Sequence, residues 1–501
     1  VGLRLERSLR AIGRSMPTLT YAEHHAAHAA SAFYPSPFEH AAVLTFDGVG
    51  EWATTTIGRG GPGGLELLAE IRYPDSLGLL YSAVTAHCGF EVNDGEAKLM
   101  GLAPYGRPRY ERVLRERVIE LRPDGSFRLD RRLFDFDATD RMFRPSVAEL
   151  FDGPPRSPDA PLGEREADLA CSIQRVLDDA VLGVAASAAE RTGETRACLA
   201  GGVALNCVTN ARLLERGPFT EVWIQPAAGD AGGALGAALW HHHDVASGGR
   251  AAPGAGGDRM AGAALGPSFD DEEVRGWLAR IGVDAHDGEP ADLDDAVVTA
   301  LLDGAIVGWF QGPMEFGPRA LGNRSILADP RRRDAVTRIN AAVKRREGFR
   351  PLAPAVLAER ADELFELAGP SPYMLLTAPV RGARPGALDP WDPDLGAVLA
   401  AVDSPLPACT HVDGSARVQT VDAERFGRFH ALLSRFAARS GCPALVNTSF
   451  NRAGEPVVAT PADALRCAVD SGLDALVIGG LWIDGAALER LRARRGARGD
   501  W

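Results

Sequence analysis

Residues 24–28 read His-His-Ala-Ala-His, residues 41–46 continue as the apolar run Ala-Ala-Val-Leu-Thr-Phe, and residues 47–51 close as Asp-Gly-Val-Gly-Glu. On a helix, His24 and His28 are four residues apart and share one face. Two imidazoles at that spacing can close on one transition ion. A carboxylate such as Asp47 would complete a two-His-one-carboxylate face, which suits Fe(II), Zn(II) and similar ions. Taken alone, the pair is equally the signature of unliganded histidines on a polar helix edge. Residues 41–46 read as a strand, as do residues 52–57 with their run of threonines, so the two make a hairpin. Its turn is expected at 47–50, where Gly48 and Gly50 free the backbone.

Moving outward, residues 5–16 read as an Arg-rich helix and residues 73–88 as a helix entered through a turn. Residues 93–106 form a glycine-dense loop around Lys98, where a lysine can meet a phosphate as a point charge or stay solvated. Residues 107–160 are charged and Pro-rich, and read as a peripheral excursion. A long helix is expected over 163–189, with Leu169, Ile173, Val176 and Leu177 on one side. A short strand at 197–200 leads into Gly201-Gly202, and a helix resumes to Arg216. Strand, Gly-Gly and helix start is an arrangement in which backbone N–H groups approach a nucleotide. After another strand at 222–224, Asp230 precedes a small-residue helix, a place for a ligand or for a plain helix cap. His241, His242 and His243 end that helix as a surface run. Residues 246–262 read as a linker, and the domain boundary is placed there. Beyond it, helices are expected at 270–281 and 293–302 and a strand at 305–310. Basic residues then cluster at Gly/Pro turns, which suits a multiply charged phosphate ligand bound bidentately or a set of solvated arginines.

With 501 residues the chain exceeds one ordinary core, and two or three domains are expected. A formal charge of -13 argues against broad, sequence-independent nucleic-acid binding. No stretch approaches the ~18 uninterrupted apolar residues of a spanning helix. The start carries no long apolar segment of a leader. The 7 cysteines are scattered without a CxxC pair, the usage of a reducing cytoplasm.

The motifs HHAAHAASAF, FDGVGEW, GEAKLMGLAPYG, AGGVALN, GDAGGALGAA, EFGPRALGNRSIL, KRREGFRPLAP, HVDGSARVQ and NTSFN occur in this order. Through them the chain, from about residue 21 to 480, resembles the O-carbamoyltransferase family of the NodU and TobZ type. The resemblance implies a mixed α/β chain of two domains. Residues 1–262 would form an actin-like ATPase (ASKHA) domain short of its first strands, like that of threonylcarbamoyl-tRNA transferases. Residues 263–501 would form a YrdC-like domain. It further implies that the second domain takes carbamoyl phosphate and ATP to carbamoyl adenylate. The first would then pass the carbamoyl group, at a metal, to a hydroxyl of a small-molecule acceptor.

Carried over by position, His24, His28, Asp47 and Asp230 match the metal ligands, typically of Fe(II), with Mg(II) as a further ion. Gly201, Gly202 and Asn206 match the adenosine-side loop. Arg319, Lys344, Arg350, Arg417 and Ser449 match the carbamoyl phosphate and ATP pocket, while Lys98 and Asn447 sit in matching motifs. The resemblance implies a cytoplasmic enzyme and suggests a dimer, with no nucleic-acid or membrane partner. Two alternatives stand beside it: a threonylcarbamoyl-type transferase acting on tRNA, and a truncated, non-catalytic relic. The second arises because relatives carry roughly a hundred further residues, a domain-sized part, before the histidines. Pro313 and Ala97 stand where Arg and Gly are expected, so Pro313 is expected to alter the carbamoyl phosphate pocket.

Overall fold

A computed structural model describes residues 2–136, 141–250, 257–288, 290–386 and 391–498. The sequence order begins with helix α1 (Gly2–Ala11), shorter than the expected 5–16, and helix α2 (His24–Phe33). Strands β1 (Ala41–Gly50), β2 (Ala53–Gly61) and β3 (Gly64–Arg72) follow. After helices α3 (Leu77–His87) and α4 (Glu96–Leu102) come the short strands β4 (Ile119–Leu121) and β5 (Phe127–Leu129). Helix α5 (Glu164–Thr192), strand β6 (Arg196–Ala200), helix α6 (Cys207–Arg216), strand β7 (Glu221–Ile224) and helix α7 (Ala231–Trp240) complete the N-terminal half.

These strands form a five-stranded sheet in the order β3-β2-β1-β6-β7. β1 pairs antiparallel with β2 and parallel with β6, and β6 pairs parallel with β7. β1 lies at the centre, and its residues 41–46 are all buried, as a strand covered on both faces requires. The parallel strands β1, β6 and β7 end on one side, where ligands of open α/β sheets bind. Asp47, Gly201 and the loop to Asp230 all sit there.

The hairpin differs from expectation. β1 runs on through Asp47 to Gly50, and the turn falls at residues 51–52, with Glu51 in a left-handed conformation at φ 50°. The ladder is irregular between Phe46 and Gly50, so the two glycines are absorbed as a bulge and not as the turn. Asp47 is thereby carried on a strand. Lys98 also moves out of its expected loop, onto α4. Residues 107–160 are more than an excursion: Tyr110, Phe127, Phe134, Phe143 and Phe151 are buried and join the main hydrophobic core. Residues 137–140 of that stretch lie outside the described residues, as do residues 251–256 of the expected linker.

The C-terminal half contributes β8 (His286–Asp287), β9 (Val307–Phe310), β10 (Arg324–Ala328), β11 (Pro354–Leu357) and β12 (Leu376–Pro379). It continues with β13 (Ser415–Val421), β14 (Ala444–Ser449), β15 (Ala475–Ile478) and β16 (Leu481–Asp484). They form one sheet in the order β12-β13-β11-β14-β10-β9-β15-β16-β8. The fold is mixed α/β, with the first large sheet built from residues 41–224 and the second from residues 286–484. Hydrogen bonds stitch the halves together. Tyr105 Oη donates to the Phe349 carbonyl at 2.8 Å, and Asn210 Nδ2 to that of Leu375 at 3.1 Å. His411 Nε2 donates to the Gly101 carbonyl at 2.9 Å, and Tyr373 Oη to Asp258 at 2.6 Å. No helix among the described residues is long and apolar enough to cross a membrane.

Candidate metal centre and arginine cavity

Alanine and glycine build the first site. α2 is poor in large side chains, and α7 opens Ala-Gly-Gly-Ala-Leu-Gly, so the two helices approach backbone to backbone. A Cβ on Gly236 would lie 1.8 Å from the Ala27 carbonyl oxygen, which only a glycine permits. Gly50 is pinned in the same way, since a Cβ there would meet the His24 ring at 2.2 Å. Gly201, at φ 94°, could not carry a side chain against the Phe46 carbonyl. These contacts bring α2, the end of β1 and the start of α7 to one point.

At that point one donor atom each from His24, His28, Asp47 and Asp230 lies within 4.8 Å of the others. The two Nε2 atoms are 3.0 Å apart, and Asp47 Oδ2 is 2.7 Å from His24 Nε2 and 3.4 Å from that of His28. Asp230 Oδ1 stands 3.5 Å from both Nε2 atoms and makes no capping bond to α7, so the helix-cap alternative does not describe it. Gly202 donates its N–H to Asp47 Oδ1 at 2.9 Å, and Ser76 Oγ donates to the Asp47 carbonyl at 3.0 Å. Glu51 accepts the His24 backbone N–H at 3.2 Å. Burial pushes the Asp47 carboxyl up, but hydrogen bonds from His24, His28 and Gly202 outweigh it and hold the group well below the carboxylate range. The same contact with Asp47 raises His24 against the opposing effect of burial.

Two imidazole nitrogens facing each other at 3.0 Å cannot both be satisfied by one proton each, whereas a single cation satisfies both lone pairs. The donor set, two imidazoles and two carboxylates, therefore fits a divalent transition ion. Side-chain exposure is 1% for His28, 11% for Asp47, 28% for His24 and 79% for Asp230, so the cluster opens on the Asp230 side.

The second site lies between the halves. A cavity of about 120 Å³ is lined by Ala97, Met100, Gly101 and Cys207 on one side and by Arg346, Arg350, Arg417, His411 and Thr448 on the other. Arg319 stands beside Arg417 and Arg350. Among the described residues the guanidinium groups of Arg319, Arg350 and Arg417 have no hydrogen-bond partner, and the Nε atoms of Arg319 and Arg417 are buried without one. Burial, reinforced by Arg417 and Arg350, pushes Arg319 down to about 9. Burial also lowers Arg350 and Arg417, and with Arg350 and Arg417 as neighbours it brings Arg346 to about 9. Such shifts express the cost of crowding cations away from water, a cost that a bound anion removes.

Other expected site residues are placed differently. Lys344 is buried with its Nζ among four oxygens: the carbonyl and Oγ of Ser449, and the carbonyl and Oδ1 of Asn451. Lys344 and Ser449 thus hold each other at the end of β14, although burial draws the ammonium down toward about 7. Asn447 is fully buried and donates to the Ala320 carbonyl and to Gln419 Oε1, away from the cavity lining. Asn206 caps α6: its Oδ1 accepts the Thr209 N–H at 3.0 Å, and its Nδ2 donates to Gln174. Its amide is spent within the protein. Gly202 reaches the metal centre through its N–H. Lys98 sits 3.8 Å from Glu347 across the seam. Pro313 is exposed in a turn whose carbonyl accepts from Asn323, and does not line the cavity, whereas Ala97 does. Arg346 lines the cavity but was missed in the sequence, although it stands in the same basic run as Lys344 and Arg350.

The family model described as Carbamoyltransferase N-terminus matches residues 4–239, and that described as Carbamoyltransferase C-terminus matches residues 298–484. An uncharacterized protein of Synechocystis sp. is 49% identical over 484 residues, which cover 95% of this chain and 78% of that protein. Nodulation protein NolO of Bradyrhizobium diazoefficiens is 37% identical over 464 residues, 91% of this chain and 77% of that protein. A 3'-hydroxymethylcephem-O-carbamoyltransferase of Amycolatopsis lactamdurans is 34% identical over 284 residues, 57% of this chain and 48% of that protein.

Proposed function

The chain belongs to the carbamoyltransferase family and is a carbamoyltransferase, and from this premise we propose how its two sites divide the work. The C-terminal half, from about residue 263, is the YrdC-like activating domain, and the first half is the actin-like transfer domain. Carbamoyl phosphate and ATP are the substrates of the first stage. Water releases inorganic phosphate from carbamoyl phosphate to leave carbamate, whose oxygen attacks the α-phosphorus of ATP, so that carbamoyl adenylate forms as pyrophosphate leaves. In the second stage the hydroxyl of a small-molecule acceptor attacks the carbamoyl carbon, and AMP departs.

One observation carries this reading: three guanidinium groups that make no hydrogen bond among the described residues, two of them with a buried unpaired Nε, converge beside a small cavity at the seam. At about 120 Å³ the cavity is smaller than the ~300–1,000 Å³ typical of drug-sized ligands, which suits a compact anion such as carbamoyl phosphate or the phosphate end of ATP. Arg319, Arg350 and Arg417 would neutralise the phosphoryl oxygens and orient them. Lys344 and Ser449 would hold the end of β14 in register beside them.

His24, His28, Asp47 and Asp230 would hold a divalent cation, with Fe(II) suited to this donor set. Such an ion supplies Lewis-acid polarisation of acyl and phosphoryl oxygens. Asp47, fixed by Gly202 and Ser76, keeps the imidazoles aligned, and the exposed Asp230 side leaves room for the acceptor alcohol. The acceptor is a hydroxylated small molecule, as the name of the Amycolatopsis relative gives for that enzyme.

The test is pyrophosphate release from ATP by the Fe(II)-loaded chain, with and without carbamoyl phosphate. Release that requires carbamoyl phosphate is the expected result. Release unaffected by carbamoyl phosphate, or none from protein shown to bind the metal, would overturn the proposal.

A further inference from the structure

His25 stands between the two histidines of the metal cluster and is not one of its donors. It is buried against the sheet, where it meets two strands at once. Its Nε2 lies 2.9 Å from the carbonyl oxygen of Ala53, the first residue of β2. Its Nδ1 lies 2.6 Å from Thr45 Oγ1 on β1, and Thr45 Oγ1 in turn lies 2.6 Å from Thr56 Oγ1 on β2. Thr45 and Thr56 are direct cross-strand partners, and both are buried.

The chemistry of these atoms fixes every proton in the relay. A carbonyl only accepts, so His25 Nε2 carries the hydrogen and donates it to Ala53. The ring is neutral, since a buried imidazolium would stand beside the cation that the cluster is built to hold. Nδ1 is then a bare acceptor, served by the Thr45 hydroxyl. Having given its one hydrogen to His25, Thr45 Oγ1 accepts from Thr56. The direction is therefore Thr56 to Thr45 to His25 to Ala53, a path that leaves β2, crosses β1 and α2, and returns to β2. All of these atoms are buried, and the neutral ring has no second arrangement that satisfies them all.

Thr45 stands two residues before Asp47 on β1, and His25 lies between His24 and His28 on α2. The His24 and His28 rings are centred 5.5 Å and 6.0 Å from that of His25. The helix that bears two donors is thus tied to the strand that bears a third, at the level of the donors themselves.

We propose that His25 is a positioning residue of the metal centre: the relay from Thr56 through Thr45 and His25 to Ala53 sets the height and rotation of α2 over β1, so that His24 and His28 meet Asp47 at one cation. This extends the metal centre proposed above, on which it rests. Thr45→Val keeps the shape of the side chain but leaves His25 Nδ1 without a donor, and Thr45→Ser keeps the hydroxyl.

The test uses Co(II) as the probe, reading its Kd by chelator competition and its visible absorption spectrum. It compares the full wild-type chain with Thr45→Val, Thr45→Ser and Thr85→Val, each checked by circular dichroism. Thr85 is a buried threonine of α3 whose Oγ1 donates to the Tyr81 carbonyl at 2.8 Å, so Thr85→Val loses a buried hydroxyl bond away from α2. Thr45→Val is expected to weaken Co(II) by about 10-fold, at the lower end of what outer-shell partners of metal sites contribute, and to shift its absorption bands. Thr45→Ser is expected to stay within about threefold of wild type with the wild-type spectrum. Thr85→Val is expected to lower the melting temperature without moving either metal readout. Thr56→Val, one bond further out, repeats the test with the same expected sign should Thr45→Val not fold. Nitrogen NMR of the histidine-labelled, Zn(II)-loaded wild type is expected to show His25 as the Nε2–H tautomer. No Co(II) binding by wild type would overturn the functional reading of the metal centre. With wild type binding Co(II), unchanged affinity and spectrum in Thr45→Val, an equal loss in Thr45→Val and Thr45→Ser, or the Nδ1–H tautomer would each overturn this inference alone.

Discussion

The metal centre and the arginine cavity solve opposite problems. At the metal centre, four donors are held by backbone contacts: Gly236 against Ala27, Gly50 against His24, and the Gly202 N–H on Asp47. Their side chains already interact at 2.7–3.5 Å. In the cavity the side chains repel. Among the described residues the buried Nε atoms of Arg319 and Arg417 find no partner, and what order exists comes from braces such as the Asn340 amide, which donates to the Arg350 carbonyl. The first site is prepared by close packing of small residues and the second by loops from both halves. Damage to packing should therefore disable one, and damage to single charges the other.

The strongest test of this contrast touches no ligand of either site. Gly236→Val puts a side chain where a Cβ alone would stand 1.8 Å from the Ala27 carbonyl, forcing α7 away from α2. Overpacking of this kind costs about 1–3 kcal/mol or more. Metal content measured on purified protein should fall from near one per chain to below about one tenth, while anion binding persists in whatever fraction remains folded. Retained metal at full stoichiometry would show that helix spacing does not set the cluster.

Arg417→Gln is the converse. Loss of one unpaired guanidinium should weaken carbamoyl phosphate or ATP by about 10- to 100-fold, read by calorimetry, and leave metal content unchanged. Because it removes a crowded cation, the same substitution should leave the melting temperature unchanged or raise it. A large drop in stability would mean that Arg417 is a structural partner after all.

Asn206→Ala should have the smallest effect. Losing a side-chain cap costs about 1 kcal/mol, measurable by denaturant unfolding. Since the amide is engaged with Thr209 and Gln174, KM for ATP should stay within twofold. A tenfold rise would return Asn206 to the nucleotide.

How legible these sites were follows from the same contrast. His24 and His28 stand at helical spacing and Asp47 follows at a strand end, so local pattern offered these three as a metal face, whereas Asp230 joined them only through the family resemblance. The turn at 47–50 was misplaced because a bulge and a turn draw on the same glycines, and only the pairing of Gly50 with Ala53 separates them. The cavity was legible only as a set of basic turns. Which arginines are free and which are consumed depends on long-range partners: Arg324, for example, donates to the carbonyls of Gln311, Gly312 and Pro267 and lies over the Phe310 ring. Asn340 carried no sequence signal, because its role exists only once the loop folds over it.

The seam has a consequence for how such chains can be recombined. Three of its bonds, from Tyr105, His411 and Asn210, end on main-chain carbonyls of Phe349, Gly101 and Leu375. A carbonyl offers the same acceptor whatever residue bears it. At these three bonds the recipient side supplies the path of the chain, while Tyr105 also packs edge-on against the Phe349 and His411 rings, so exchanging halves between relatives requires both the path and these rings to be kept. The Tyr373–Asp258, Arg425–Asp258 and Lys98–Glu347 pairs differ, because there both sides must match.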